Sequence, residues 1–243
     1  MSVNVFIDGG AGTTGLEIRE RLAGRNDVTL LTLPEARRKD AGARAEALNA
    51  ADAVILCLPD DAAREAVALI GNDATRVIDA STAHRTDPDW TYGFAEVAPG
   101  RGGARAGARR GSNPRCYPTG FLALVAPLVR AGIVPADLAL SVNATSGYSG
   151  GGKQMIAAFE DASAPDATDS GFRIYALALG HKHVPEMQRH AALVHPPIFM
   201  PAVARSYRGM LVEVPLHAHL LNGDVEAIRE AWADAYADSP VVR

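Results

Sequence analysis

A cysteine, a pair of histidines and two glycine-rich turns are the residues of this chain best suited to chemistry. Cys116 stands in Gly111-Ser-Asn-Pro-Arg-Cys-Tyr-Pro-Thr-Gly120, directly ahead of the apolar run Phe121 to Val129. That run predicts a buried helix, with Pro118 acceptable in its first turn. A thiol at a helix start meets the positive end of the helix dipole, which favours the thiolate, the nucleophilic form. Cysteine also packs as a small hydrophobe. That is the reading for Cys57, inside the apolar strand pattern Ala53 to Leu58. Gly180-His-Lys-His-Val-Pro-Glu-Met187 sets His181 and His183 two residues apart, with Glu186 three residues on. Histidine titrates near neutrality and suits proton transfer, and Glu186 is placed to orient the His183 ring. The spacing is not His-Glu-x-x-His, and no cysteine or third acid stands close by, so no metal is expected. His190, His195, His217 and His219 read as structural, the last two on a strand from Met210 to Ala218, and His84 reads equally well as a surface loop residue.

The glycine-rich turns offer backbone amides. Gly9, Gly12 and Gly15, with Thr13 and Thr14 between the last two, follow the strand pattern Val3 to Ile7 and precede the helical pattern Leu16 to Ala23. Glycines there permit a tight turn and close approach of amides to a pyrophosphate on a helix N-terminus. Arg37, Arg38 and Lys39 follow the second strand and suit a 2′-phosphate, which favours NADP; Glu35 keeps NAD possible. Ser81 follows the fourth strand, at the carboxyl edge where such sheets bind ligands. In the second half, Thr145-Ser-Gly-Tyr-Ser-Gly-Gly-Gly-Lys153 lies between a strand, Leu138 to Ala144, and a helix, Gln154 to Asp161. Its amides form a concave donor set for phosphate or carboxylate, and Lys153 adds a cation.

Strands and helices alternate through the first half, which predicts a Rossmann-type parallel sheet, α/β in class, over residues 1–115. A second α+β domain, catalytic and oligomerising, covers residues 116–243. Arg101 to Gly111, rich in glycine and arginine, reads as a surface loop; it has no aromatic residues for nucleic-acid stacking. Asp224 to Ala237 reads as an amphipathic helix with Val225, Ile228, Trp232 and Tyr236 on one side. A net charge of -4, two cysteines and no signal-peptide pattern point to a cytoplasmic enzyme with no nucleic-acid or membrane partner.

The glycine loop, Ser-Asn-Pro-x-Cys-Tyr-Pro-Thr, Ser-Gly-Tyr-Ser-Gly-Gly-Gly-Lys and Gly-His-Lys-His-x-Pro-Glu, in that order, resemble N-acetyl-γ-glutamyl-phosphate reductases of the shorter, type 2 subfamily. The resemblance covers nearly the whole chain; the Cys and His motifs are specific, whereas the glycine loop is shared with many dehydrogenases. It implies an NADPH-dependent enzyme of arginine biosynthesis, with Cys116 as nucleophile and the His181/His183 pair as acid/base. The thiolate would displace phosphate from N-acetylglutamyl phosphate, and the thioester would be reduced to N-acetylglutamate semialdehyde. Asn113, Ser146, Ser149, Gly150, Lys153 and Glu186 would contact substrate, and the enzyme would be a homo-oligomer. Two departures stand out. The family has glycine before the catalytic cysteine where this chain has Arg115, and it continues into an Asp-Asn-Leu-x-Lys-Gly segment beyond Val241-Val-Arg243. The second departure suggests an intact Cys–His site with low turnover and weakened cofactor binding. Two alternatives remain open at this point: an aspartate-semialdehyde-dehydrogenase-like enzyme, against which the His motif argues, and a catalytically impaired NADP-binding remnant.

Overall fold

Short β-branched runs alternate with helical stretches through the first hundred residues, and the computed structural model, which describes residues 2–99 and 101–243, assembles them into a parallel sheet. The elements are β1 (Val3–Asp8), α1 (Thr13–Leu22), β2 (Val28–Leu31), α2 (Ala41–Ala50), β3 (Ala53–Leu56), α3 (Asp60–Ala68), β4 (Arg76–Asp79), β5 (Thr91–Tyr92), α4 (Arg101–Gly107) and β6 (Arg110–Ser112). The strand order is β2-β1-β3-β4-β6-β5, with every pairing parallel. The order turns around β1, so the loop after β1 opens at the edge where such sheets take ligands. Leu48, Val54, Leu56, Ala63 and Ala66 are fully buried and tie α2 and α3 to the sheet.

Two local expectations fail here. Arg101–Gly107 is a helix, not a loop. Its glycines disfavour a helix, but the Arg76 guanidinium donates to the Ala106 carbonyl at its C-terminal end (3.1 Å), where a cation is favourable. His84 is buried, not a surface residue: it stacks on Trp90 with ring centroids 4.0 Å apart.

The chain divides into two units. Arg115 belongs with the second unit, as does the segment Phe94–Arg101. The second unit contains α5 (Cys116–Arg130), β7 (Ser141–Gly147), α6 (Gly152–Glu160), β8 (Phe172–Ile174), α7 (Val184–His190), β9 (Ile198–Ala204), β10 (Met210–Glu213) and α8 (Val225–Tyr236). Its sheet is mixed, β10-β7-β9-β8, with only β7 and β9 parallel. The strand expected at Leu138 to Ala144 lies three residues later in the chain. The strand expected to reach Ala218 stops at Glu213, ahead of Pro215, so His217 and His219 flank a 3-10 turn instead. One face of this sheet, with Val142, Ala144, Phe199 and Val203, is buried. The alternate residues Phe172, Ile174, Ile198, Met200 and Leu211 are all exposed.

Helix α5 carries Pro127 in its interior. A proline has no N–H for the carbonyl four residues earlier, here that of Ala123. The Tyr236 hydroxyl on α8 donates to that carbonyl (2.6 Å), and the Trp232 indole N–H donates to the next one, Leu124 (2.8 Å). Burial, the largest cause, pushes the Tyr236 phenol up to about 12, so the donor stays protonated. The expected amphipathic helix is therefore present, and its aromatic residues repair its neighbour.

Candidate active site

In the first unit the glycines of the loop do unequal work. Gly9 has φ +84°, and a Cβ there would lie 2.3 Å from the Cys57 carbonyl oxygen. A Cβ on Gly15 would lie 2.6 Å from both Gly10 Cα and the Gly9 oxygen. Gly12 needs neither concession; it is the N-cap of α1, and the first turn of that helix has no acidic residue. Its amides and dipole are thus available to a diphosphate. Thr14 is exposed in that first turn, while the side chain of Thr13 lies outside the described residues.

A cleft of about 560 Å³ opens beside this loop, lined by Gly9, Gly10, Arg19, Thr32, Arg38 and Lys39 among others. Arg38 and Lys39 therefore stand where the sequence placed them. Arg37 does not line the cleft; it sits near Asp40 (3.6 Å) and Glu46 (3.9 Å). Arg19 and Arg44 also enter the wall, and neither was evident from sequence. Both come from helix faces with no motif around them. The Arg44 cation is held by the buried Asp8 carboxylate at 2.8 Å. Ser81 is buried and turned inward: its hydroxyl donates to Asp79 (2.6 Å) and accepts from the Ala83 amide (3.1 Å). Asp79 also meets His84 Nδ1 at 2.7 Å, so Ser81 belongs to the bonding of its own loop. Asn113 is exposed, with its backbone amide donating to the Asp79 carbonyl (2.7 Å). The loop cradle, cleft and cations fit a dinucleotide with a phosphorylated ribose.

The cysteine and both histidines lie in the second unit. Cys116 is the first residue of α5 and is exposed. Cys57 stands just past β3, and burial, reinforced by Asp79 and Asp8, pushes its thiol up to about 11. Only Cys116 is thus presented as a nucleophile.

The two histidines separate by environment. His183 is 5% exposed and packs against Tyr117 and Phe199. His181 is partly exposed, with its ring 4.4 Å from that of His183 and 6.0 Å from that of Tyr175. The His183 backbone N–H donates to His181 Nδ1 (3.2 Å), so the neutral His181 ring carries its proton on Nε2. Burial lowers the His181 pKa, and the Lys182 and Arg115 charges push the same way.

Tyr175 joins the cysteine and histidine motifs. Its hydroxyl donates to Tyr117 (3.2 Å), and Tyr117 donates to Ser146 Oγ (2.8 Å). Burial holds the Tyr175 phenol well above the ordinary range, and the Tyr117 bond and the nearby Cys116 act in the same direction. Ser146 is therefore bonded into this chain of hydroxyls. Ser149 lies in a 3-10 turn, Tyr148–Gly151, with its amide on the Tyr207 carbonyl; Gly150 and Lys153 are exposed at the start of α6. Glu186 is 1% exposed, and its Oε1 accepts from the Arg115 amide (3.0 Å). Sequence reasoning missed Tyr175, which has no motif around it. The left-handed turns that set its loop fall on Ala176 and Leu179, residues that do not announce them.

Residues 116–243 match the semialdehyde dehydrogenase dimerisation domain, and residues 38–101 match the semialdehyde dehydrogenase NAD-binding domain. Solved structures agree at the level of fold. A probable aspartate-semialdehyde dehydrogenase from Pseudomonas aeruginosa superposes with TM-score 0.66 at 15% identity, over 95% of this chain and 78% of that one. An aspartate-semialdehyde dehydrogenase with NADP from Candida albicans gives 0.61 at 15%, over 94% and 75%. The class is that of NAD(P)-dependent oxidoreductases built on a Rossmann-type sheet and a second mixed sheet. Among curated relatives, an N-acetyl-gamma-glutamyl-phosphate reductase of Sinorhizobium medicae is 51% identical over all of this chain and 79% of its own length. One from Burkholderia lata is 54% identical over 97% of this chain and 75% of its own. The chain belongs to the N-acetyl-γ-glutamyl-phosphate reductase family.

Proposed function

We propose that the chain reduces N-acetylglutamyl phosphate to N-acetylglutamate semialdehyde with NADPH. The observation that carries this reading is an exposed cysteine at the start of α5 in the same unit as a half-buried, neutral histidine. Cys116 attacks the acyl carbon, the C–O bond to phosphate breaks, and a thioester forms. The departing phosphate takes up one proton. NADPH, when bound, supplies the hydride that reduces the thioester. His181 donates a hydrogen bond from Nε2 to the thioester oxygen as negative charge builds there and keeps its proton, and the tetrahedral alkoxide re-forms the carbonyl of the aldehyde as it expels the Cys116 thiolate. His183, buried, holds the His181 ring through its amide. This assignment reverses the emphasis that sequence spacing gave to His183. Lys153, exposed at the start of α6, supplies a cation for substrate charge in this reading. Phosphate-dependent oxidation of N-acetylglutamate semialdehyde, followed as NADPH formation, tests the reading. Activity on aspartate semialdehyde instead would replace it with the aspartate-semialdehyde-dehydrogenase alternative.

Arg38 and Lys39 favour NADPH over NADH in this reading, with Arg19 as a further cation in the same cleft. One charge-assisted phosphate contact is worth about 1.5–3 kcal/mol, or roughly tenfold to a hundredfold in affinity. Replacing Arg38 and Lys39 with serine is expected to weaken NADPH by that factor and NADH by much less, as read by fluorescence titration. Equal losses would remove the specificity role.

The functional form in this reading is a homodimer. The exposed residues Phe172, Ile174, Ile198, Met200 and Leu211 share one face of the second sheet, and so large an apolar face marks an interaction surface. Sedimentation is expected to show a dimer that Ile174→Asp with Leu211→Asp splits; a doubly substituted chain that stays dimeric would place the interface elsewhere. Both cysteines are free, which suits a reducing compartment such as the cytoplasm. Among the described residues, no helix is long and apolar enough to cross a membrane.

A further inference from the structure

Glu186 sits three residues into α7, and its carboxyl group reaches outside that helix. It is 1% exposed, and its Oε1 accepts the backbone N–H of Arg115 at 3.0 Å. Arg115 is the N-cap of α5, the residue before Cys116. His183 is the N-cap of α7, three residues before Glu186. One buried carboxyl group therefore ties together the starts of the two helices that carry the cysteine and the histidine motif. The link is between a side chain near one motif and the backbone of the other, so it fixes positions without using the side chain of Arg115. Glu186 is closed to solvent, and its Oε1 is spent on the protein.

We infer that Glu186 is a positioning residue that sets the placement of Cys116 relative to the His181/His183 segment, rather than a substrate contact. The inference rests on the reaction proposed above for its effect on turnover, but the bond itself does not. A displacement of about 1 Å between reacting groups is enough to cost roughly a hundredfold in rate. Loss of this acceptor is therefore expected to act on kcat far more than on substrate KM or on NADPH affinity, since the cofactor cleft belongs to the other unit.

The test compares Glu186→Leu, which removes the acceptor, with Glu186→Gln, which keeps an oxygen in its place. Glu186→Leu is expected to lower kcat at least tenfold with KM changed less than threefold, and Glu186→Gln is expected to recover most of that loss. Hydrogen exchange of the Arg115 amide, expected to be slow in the parent and fast in Glu186→Leu, reads the brace without requiring turnover. A parent that lacks reductase activity but shows this exchange pattern would overturn the reaction and keep the brace. Should Glu186→Leu fail to fold, the donor can be removed from the other side. Arg115 has φ −87° and ψ 158°, a conformation open to proline. Arg115→Pro removes the N–H and the side chain, whereas Arg115→Gly removes the side chain alone, so Arg115→Pro is expected to lose at least tenfold more turnover. Three results would each overturn the proposal: equal losses in Glu186→Gln and Glu186→Leu, a raised KM as the main effect, or unchanged exchange of the Arg115 amide.

Discussion

Replacing Cys116 with serine is expected to abolish turnover while leaving NADPH affinity where it was. Serine keeps the shape but not the thiolate, and without a thioester there is no good hydride acceptor. The loss should reach about 10⁴-fold or more, the scale seen when a covalent nucleophile is removed. The cofactor side of the experiment is a control, because the glycine loop, the cleft and its cations all belong to the first unit. Cys57→Ala is the second control. Its thiol is pushed up to about 11 by burial first and by Asp79 and Asp8 next, so it holds almost no thiolate at neutral pH and its loss should leave activity in place. Steady-state rates with either semialdehyde or acyl phosphate, beside a fluorescence titration with NADPH, decide the matter. Substantial activity in Cys116→Ser would end the thioester mechanism.

His181→Asn is expected to cost roughly 10²–10³ in rate, the range for losing one hydrogen-bond donor to a developing oxyanion. His183→Asn is expected to cost mainly stability, because its ring is buried among Tyr117, His181 and Phe199. The pH profile carries the sign of the argument. The His181 pKa is lowered, chiefly by burial and then by Lys182 and Arg115, so the ring is neutral at pH 7. Protonation would fall on Nδ1 and break the bond from the His183 amide that holds the ring, so the neutral ring is the working form, and activity should fall as pH drops through a value below the ordinary histidine pKa of about 6.5. Arg115→Gly removes one of the opposing charges and should move this acidic limb upward. It should stop short of the ordinary value, because burial remains. Titration of the ring by NMR, beside the pH dependence of kcat/KM, gives the comparison. An acidic limb unmoved by His181→Asn would take the group out of the reaction.

Much of the site was legible because its chemistry needs local sequence. Gly9 must adopt positive φ and Gly15 must lie against Gly10, so the loop could not be written with other residues. Cys116 needed a helix behind it, and Phe121 to Val129 supplies the apolar run. What escaped depended on groups distant in the chain. His181 and His183 sit in one motif, and nothing in their spacing tells which faces inward; Tyr117 and Phe199 decide that. Glu186 read as a group for His183 or substrate, and its partner turned out to be the amide of Arg115, seventy-one residues away. Strand β9 contains Pro201, which weakens a strand pattern, yet it pairs along its whole length with β7. Arg37, Arg38 and Lys39 are consecutive, and only the last two line the cleft.

The proline in α5 and the tyrosine on α8 have a shared history written into their geometry. The Tyr236 hydroxyl donates a hydrogen bond to the Ala123 carbonyl, the one to which Pro127 offers nothing. Each residue is then acceptable on condition of the other. Tyr236→Phe is a costly change in the presence of Pro127 and a mild one once position 127 carries an N–H again. Changes at these two positions, 109 residues apart, will therefore be epistatic, and across relatives they should be exchanged as a pair rather than drift singly. A hydroxyl on α8 is in this sense part of the hydrogen bonding that completes the helix beginning at Cys116.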